Sequence, residues 1–156
     1  REMVLKPVNL IDVIESAVAS ARVAGPHHPL TFNAPSDEVF ALGDEPRIHQ
    51  VIANLLANAR AHTPAGTKIE VTISQGVDGV RISISDNGPG ISLENQEKIF
   101  ERFYRADSAR VSANTSSTGL GLTIVKSIVH AHGGDISVAS VLGQGATFNI
   151  TLPLNA

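Results

Sequence analysis

Asp86-Asn87-Gly88-Pro89-Gly90-Ile91 joins a carboxylate to two glycines, after an alternating run in which Val80, Ile82 and Ile84 share one face. Such a strand delivers an acceptor, then lets the backbone turn sharply and pass close to a ligand. Asp86 suits the exocyclic amino group of adenine, and Ile91 is placed to pack on the base. Taken alone, the string also fits an ordinary turn after a strand. Asn54 and Asn58 stand one helical turn apart, so two amide oxygens on one flank could serve a hard cation such as Mg²⁺. Two solvated asparagines satisfy the same spacing. Gly119-Leu120-Gly121-Leu122 opens a helical pattern, and a helix start offers free N–H groups and a positive dipole end to phosphate. Gly143-Gln144-Gly145 reads as a hairpin turn.

Positioning these groups takes strands and helices in alternation. Residues 1–8 read as an incoming linker, with Pro7 marking its end. Asn9 caps a helix that runs to Ala24, with Leu10, Ile11, Ile14, Ala17, Val18 and Ala21 at helical spacing and Gly25-Pro26 as its stop. Short strands are expected at 30–33 and 39–42, then a second helix at 45–62 closed by Thr63-Pro64-Ala65-Gly66. On it Ile48, Val51, Ile52, Leu55, Leu56 and Ala59 form an apolar stripe, with Asn54 and Asn58 on the flank. Segments 68–74 and 80–85 alternate as strands about Gly76-Val77-Asp78-Gly79. A helix is expected over 93–103, a polar small-residue loop over 106–118, and a third long helix over 120–132 ended by Gly133-Gly134. Segments 135–141 and 146–152 close as a hairpin. Paired strands interleaved with three long helices predict a two-layer α/β sandwich.

Composition narrows the function. The 156 residues are one domain by length, and 42% hydrophobic content with only 4% aromatics requires a core of Val, Ile, Leu and Ala. A net charge of −3 without a basic cluster argues against nucleic acid as a partner. The absence of cysteine excludes disulfides and thiolate metal sites and fits a reducing compartment. No run reaches the ~18–20 apolar residues of a membrane span. A chain that starts at Arg1 is expected to be a piece of a longer protein, whose membrane segments would lie outside it.

In order along the chain, Asn54-x-x-x-Asn58, Asp86-x-Gly88-x-Gly90, Phe100-Glu101-Arg102-Phe103-Tyr104-Arg105, Gly119-Leu120-Gly121-Leu122 and Gly143-Gln144-Gly145-Ala146-Thr147-Phe148 resemble the ATP-binding catalytic domain of bacterial sensor histidine kinases. The resemblance runs from about Asn9 to Leu152. It implies the Bergerat-type fold, a mixed and mostly antiparallel sheet covered on one face by three helices, with residues 9–156 as the catalytic domain. It implies ATP as ligand and Mg²⁺ on Asn58, with Asn54 a turn earlier. Asp86 would hold the adenine amino group, with Gly88, Gly90 and Ile91 around the base and His62 stacked beside it. Arg105 would contact phosphate, Gly119, Leu120, Gly121 and Leu122 would anchor a lid at 106–118, and Thr147 would complete the polar end through water.

Two positions depart from the family pattern. Ser117 replaces a further glycine, and Ala61 stands where many relatives carry a basic phosphate clamp, with Arg60 beside it on a different helical face. Hydrolytic relatives place a glutamate where Asn54 stands; an amide is no general base, which points to phosphoryl transfer. An ATP-hydrolysing machine, a non-enzymatic nucleotide sensor and a serine kinase of the anti-sigma-factor kind are the rival readings. His27, His28, His49, His130 and His132 all lack the family's acceptor context, so the phosphoacceptor and its acid/base partner are expected on a separate dimerisation domain. The resemblance further implies a response regulator as indirect partner, a monomeric isolated domain, a homodimeric full-length protein, and a cytoplasmic position in a membrane-anchored sensor.

Overall fold

Local caps set the helix starts. In the computed structural model, which describes residues 2–101 and 119–153, the Asn9 side chain accepts the Asp12 N–H at 3.2 Å and opens α1, Leu10–Ala24. Asp44 does the same for α2, Glu45–Ala61, taking the Arg47 N–H at 3.3 Å. Ser92 caps the short α3, Leu93–Lys98. The fourth helix among the described residues, α4, spans Gly119–Ala131 and ends where Gly133 turns with φ 78° and the Gly134 N–H bonds Val129 O at 3.0 Å. A side-chain cap contributes roughly 1 kcal/mol. Burial decides more: Ile52, Leu55 and Leu56 of α2 are at most 1% exposed, each adding roughly 1.5–3 kcal/mol.

Among the described residues, seven strands fall into two sheets. A five-stranded sheet has the order β2-β4-β5-β7-β6 (Leu30–Asn33, Ile69–Gln75, Gly79–Asp86, Ala146–Pro153, Asp135–Ser140). Among the described pairs β2–β4 alone is parallel, because β3 (Phe40–Gly43) and α2 intervene; the others are antiparallel. Alternation along β5 and β7 turns Val80, Ile82, Ile84, Phe148, Ile150 and Leu152 towards the helices and Arg81, Ser83, Asn149 and Thr151 away. α2 packs between α1 and α4 over this apolar face. The result is the two-layer sandwich with a mostly antiparallel sheet that the sequence predicts.

The structure differs from the sequence reading in three places. Residues 6–9, the last three of the expected linker and the helix cap Asn9, form a strand, β1, paired antiparallel with β3 as a separate ribbon, Val8 against Ala41. A four-residue run with one buried side chain has no periodicity to detect; its pairing partner lies more than thirty residues away. α3 stops at Lys98, five residues before the expected 103, where the Glu101 N–H turns back to Lys98 O. His132, which the sequence marks only as lacking an acceptor context, is buried and bonded at both ring nitrogens: Nε2 accepts the Asp44 N–H at 3.0 Å and Nδ1–H donates to Ile128 O at 2.8 Å. Asp44 also accepts the Val4 N–H at 3.0 Å, so the chain's first residues, the start of α2 and the end of α4 meet at one point.

Candidate functional site

Asp86 ends β5 opposite Ala146, and this register sets its direction. Both positions fall on the helix-facing side of the sheet, in phase with Ile84 and Phe148. The carboxylate is half-buried there and accepts the Gly88 N–H on Oδ1 at 2.9 Å. Burial raises its pKa above the ordinary aspartate value, and it does so against the lowering effect of the Gly88 and Ala146 N–H groups and of His62 and His28. Desolvation therefore wins over four favourable partners, a poise typical of functional carboxylates.

The loop after Asp86 is held from three sides. Pro89 O accepts the Gly143 N–H at 2.7 Å, and Ser140 Oγ accepts the Ile91 N–H at 2.8 Å while donating to Gly145 O at 2.6 Å. Gln96 Nε2 of α3 bonds Ile91 O at 2.7 Å and Ser140 O at 3.0 Å. A side chain at Gly88 would meet Thr63 Cγ2 at 2.6 Å, and one at Gly90 (φ 80°) would meet Val141 O at 2.5 Å. In this structure, then, the close approach these glycines permit is to protein neighbours. Gly145 (φ 89°) abuts Asp86 O in the same way, tying the second Gly-x-Gly turn to the aspartate.

α2 borders this loop through its last turn. His62 closes the helix, its N–H on Asn58 O at 3.1 Å, and lies near enough to Asp86 to act on its charge. Asn58 and Asn54 follow back along the flank, half-buried, and neither side chain makes a hydrogen bond among the described residues. Uncommitted amide oxygens fit a hard cation that brings its remaining ligands as water and phosphate. No cluster of three His, Cys, Asp or Glu side chains able to hold a metal exists among the described residues, so a protein-only cage is absent there.

A profile described as histidine kinase-, DNA gyrase B-, and HSP90-like ATPase matches residues 43–156. The chain belongs to this ATPase family. The probable sensor histidine kinase TcrY of Mycobacterium tuberculosis is 45% identical over 149 residues, covering 96% of this chain and 31% of its own length. The chain thus spans about a third of the curated relatives it matches. The catalytic domain of histidine kinase ThkA superposes with a TM-score of 0.83 at 29% identity, covering 98% of this chain and 97% of that one. A second structure, ThkA in complex with the response regulator protein TrrA, gives 0.78 at 26% identity, covering 97% and 42%.

The remaining expected site residues of this ATPase-family domain are placed unevenly. Ile91 is half-buried against the core beside Asp86. Leu122 is buried in the core, 7% exposed, and Gly121 is half-buried one residue before it. Gly119 and Leu120 begin the backbone of α4. Arg105 and the expected lid at 106–118 lie outside the described residues. Thr147 is not brought together with Asp86. Strand alternation turns it to the opposite face, where its Oγ1 lies 2.9 Å from Ser85 Oγ; Ala146 holds the position beside the aspartate. Nor does Arg60 reach Asn58. The two stand about 160° apart on α2, and the Arg60 stem lies across Gly25 at the end of α1, where burial lowers its pKa. Sequence reasoning missed Ser140, whose contact with Ile91 spans 49 residues, and Gln96, whose side chain is committed both to Ile91 O and to the distant Ser140 O.

Proposed function

We propose that this domain binds Mg·ATP and donates its γ-phosphate to a histidine on the dimerisation domain of the same sensor kinase, beginning a relay to a response regulator. The observation that carries the reading is the half-buried Asp86 carboxylate facing the helix layer beside His62 and the uncommitted amides of α2. Asp86 accepts the adenine amino group, the Gly88–Ile91 loop flanks the base, and α4 turns its N-terminal end to phosphate. Asn58, with Asn54 behind it, would hold Mg²⁺, which supplies charge neutralisation to the phosphates. No side chain of this domain needs to move a proton in that reading; positioning and electrostatics make up most of phosphoryl transfer. ThkA, seen with a response regulator, supports the partner class.

Calorimetry with non-hydrolysable ATP and GTP analogues, with and without Mg²⁺, tests the reading. The ATP analogue is expected to bind with clear preference and in a Mg²⁺-dependent way. Equal affinity for the two would overturn the adenine assignment.

A further inference from the structure

His28 lies on the turn between α1 and β2, ahead of the stretch that matches the family profile. Its Nε2 is 2.9 Å from Thr63 Oγ1 and 3.2 Å from Thr63 O. Thr63 Oγ1 already donates to Ala59 O at 2.7 Å, so its hydrogen is used and His28 must supply the proton of the shared bond. The hydroxyl is thereby fixed from two sides, and with it the threonine rotamer. The methyl on that rotamer fills the space where a side chain at Gly88 would stand, at 2.6 Å from its Cβ. Gly88 in turn bonds Asp86 Oδ1 through its N–H at 2.9 Å.

We propose that His28 is a positioning residue for base selection: by locking Thr63 it sets Gly88, and through Gly88 the Asp86 carboxylate that reads the adenine edge. This rests on the nucleotide reading above. The contact is contiguous at every step, from imidazole to hydroxyl, methyl, backbone and carboxylate, so no remote coupling is invoked. The turn bearing His28 does not depend on the imidazole for its own place. Gly66 N–H bonds His27 O at 2.7 Å, and Ile69 N–H bonds Pro29 O at 2.8 Å. Loss of the ring therefore leaves the Thr63 hydroxyl held from one side, by Ala59 O, without unlatching the turn.

Competition calorimetry with ADP and GDP, on the unchanged chain and on His28→Ala, His28→Gln and Thr63→Val, decides the matter. His28→Ala is expected to weaken ADP about threefold to tenfold, the range of one polar contact, while leaving GDP unchanged. Glutamine, which keeps a donor at similar reach, should restore most of the ADP:GDP ratio at an unchanged urea midpoint. Thr63→Val, which also gives up the bond to Ala59 O, should show at least the same loss, and the double variant should be no worse than Thr63→Val, since the hydroxyl that His28 holds is already gone. An unaltered ratio in His28→Ala, or in Thr63→Val should the first variant fail to fold, would overturn the role of His28. Absence of any adenine preference in the unchanged chain would overturn the nucleotide reading itself.

Discussion

At Asp86 two demands conflict. The fold raises the carboxyl above the ordinary aspartate value through burial, yet an adenine amino group is best received by the ionised form. A raised folded pKa means the native state holds the proton in a window where the unfolded chain has released it. Stability therefore falls as pH rises from the ordinary aspartate value through the raised one. Asp86→Asn is expected to remove that slope in urea titrations, while ADP binding, which in the parent weakens as pH falls through the Asp86 pKa, becomes weak and flat with pH. An Asn variant with the parent's binding profile would show that another group titrates. Asp86→Ala should cost on the order of 1–3 kcal/mol of nucleotide affinity. At Asn58 the expected loss is in the metal dependence: Asn58→Ala should bind ADP with little response to Mg²⁺, and an unchanged response would remove the metal from this residue. Asp86 and Asn58 were legible in the sequence because each sits at a fixed offset from a strand end or helix stripe. The face of Thr147 was not legible, because one residue of strand register reverses it and the hairpin turn before it does not announce the register.

Among the elements, the joint of Asp44 and His132 ties α2 to α4 at the ends remote from Asn58 and Gly119. His132→Ala would remove the imidazole acceptor of the Asp44 N–H and open a void where the ring packs beside Gly43 and Ile48. The expected loss is about 2–4 kcal/mol, read as a lower urea midpoint at unchanged slope. A shift below about 0.5 kcal/mol would show that water replaces the imidazole without cost. The long helices were legible within a residue or two from stripes and caps such as Asn9. β1 and the function of His132 were not, because both are defined by partners far along the chain, Phe40–Gly43 and Asp44.

For the molecule as a whole, the proposed chemistry divides between two bodies. If the acceptor histidine is elsewhere, this chain alone should neither label itself from γ-labelled ATP nor hydrolyse it at a useful rate. Adding the histidine-bearing domain should yield an acid-labile phosphohistidine on that domain only. Steady hydrolysis by the chain alone would move it to the ATP-hydrolysing branch of its family, and phosphoserine on a regulator would move it to the anti-sigma-factor kinases.

The sheet order has a consequence for biogenesis. β7 is last among the strands in sequence yet sits between β5 and β6 in the sheet. At ribosomal speeds it emerges on the order of seconds after β5. Until then Ile82 and Ile84 of β5 and Ile136 of β6 lack the Phe148 and Ile150 beside which they are buried. The nascent chain meanwhile exposes two open strand edges, which are templates for unwanted pairing. A ribosome stalled before Ala146 would thus display a sticky, unfinished product and recruit holdase chaperones. One stalled past Pro153 by a linker long enough to clear the exit tunnel would release a finished, protease-resistant body, with little between the two states.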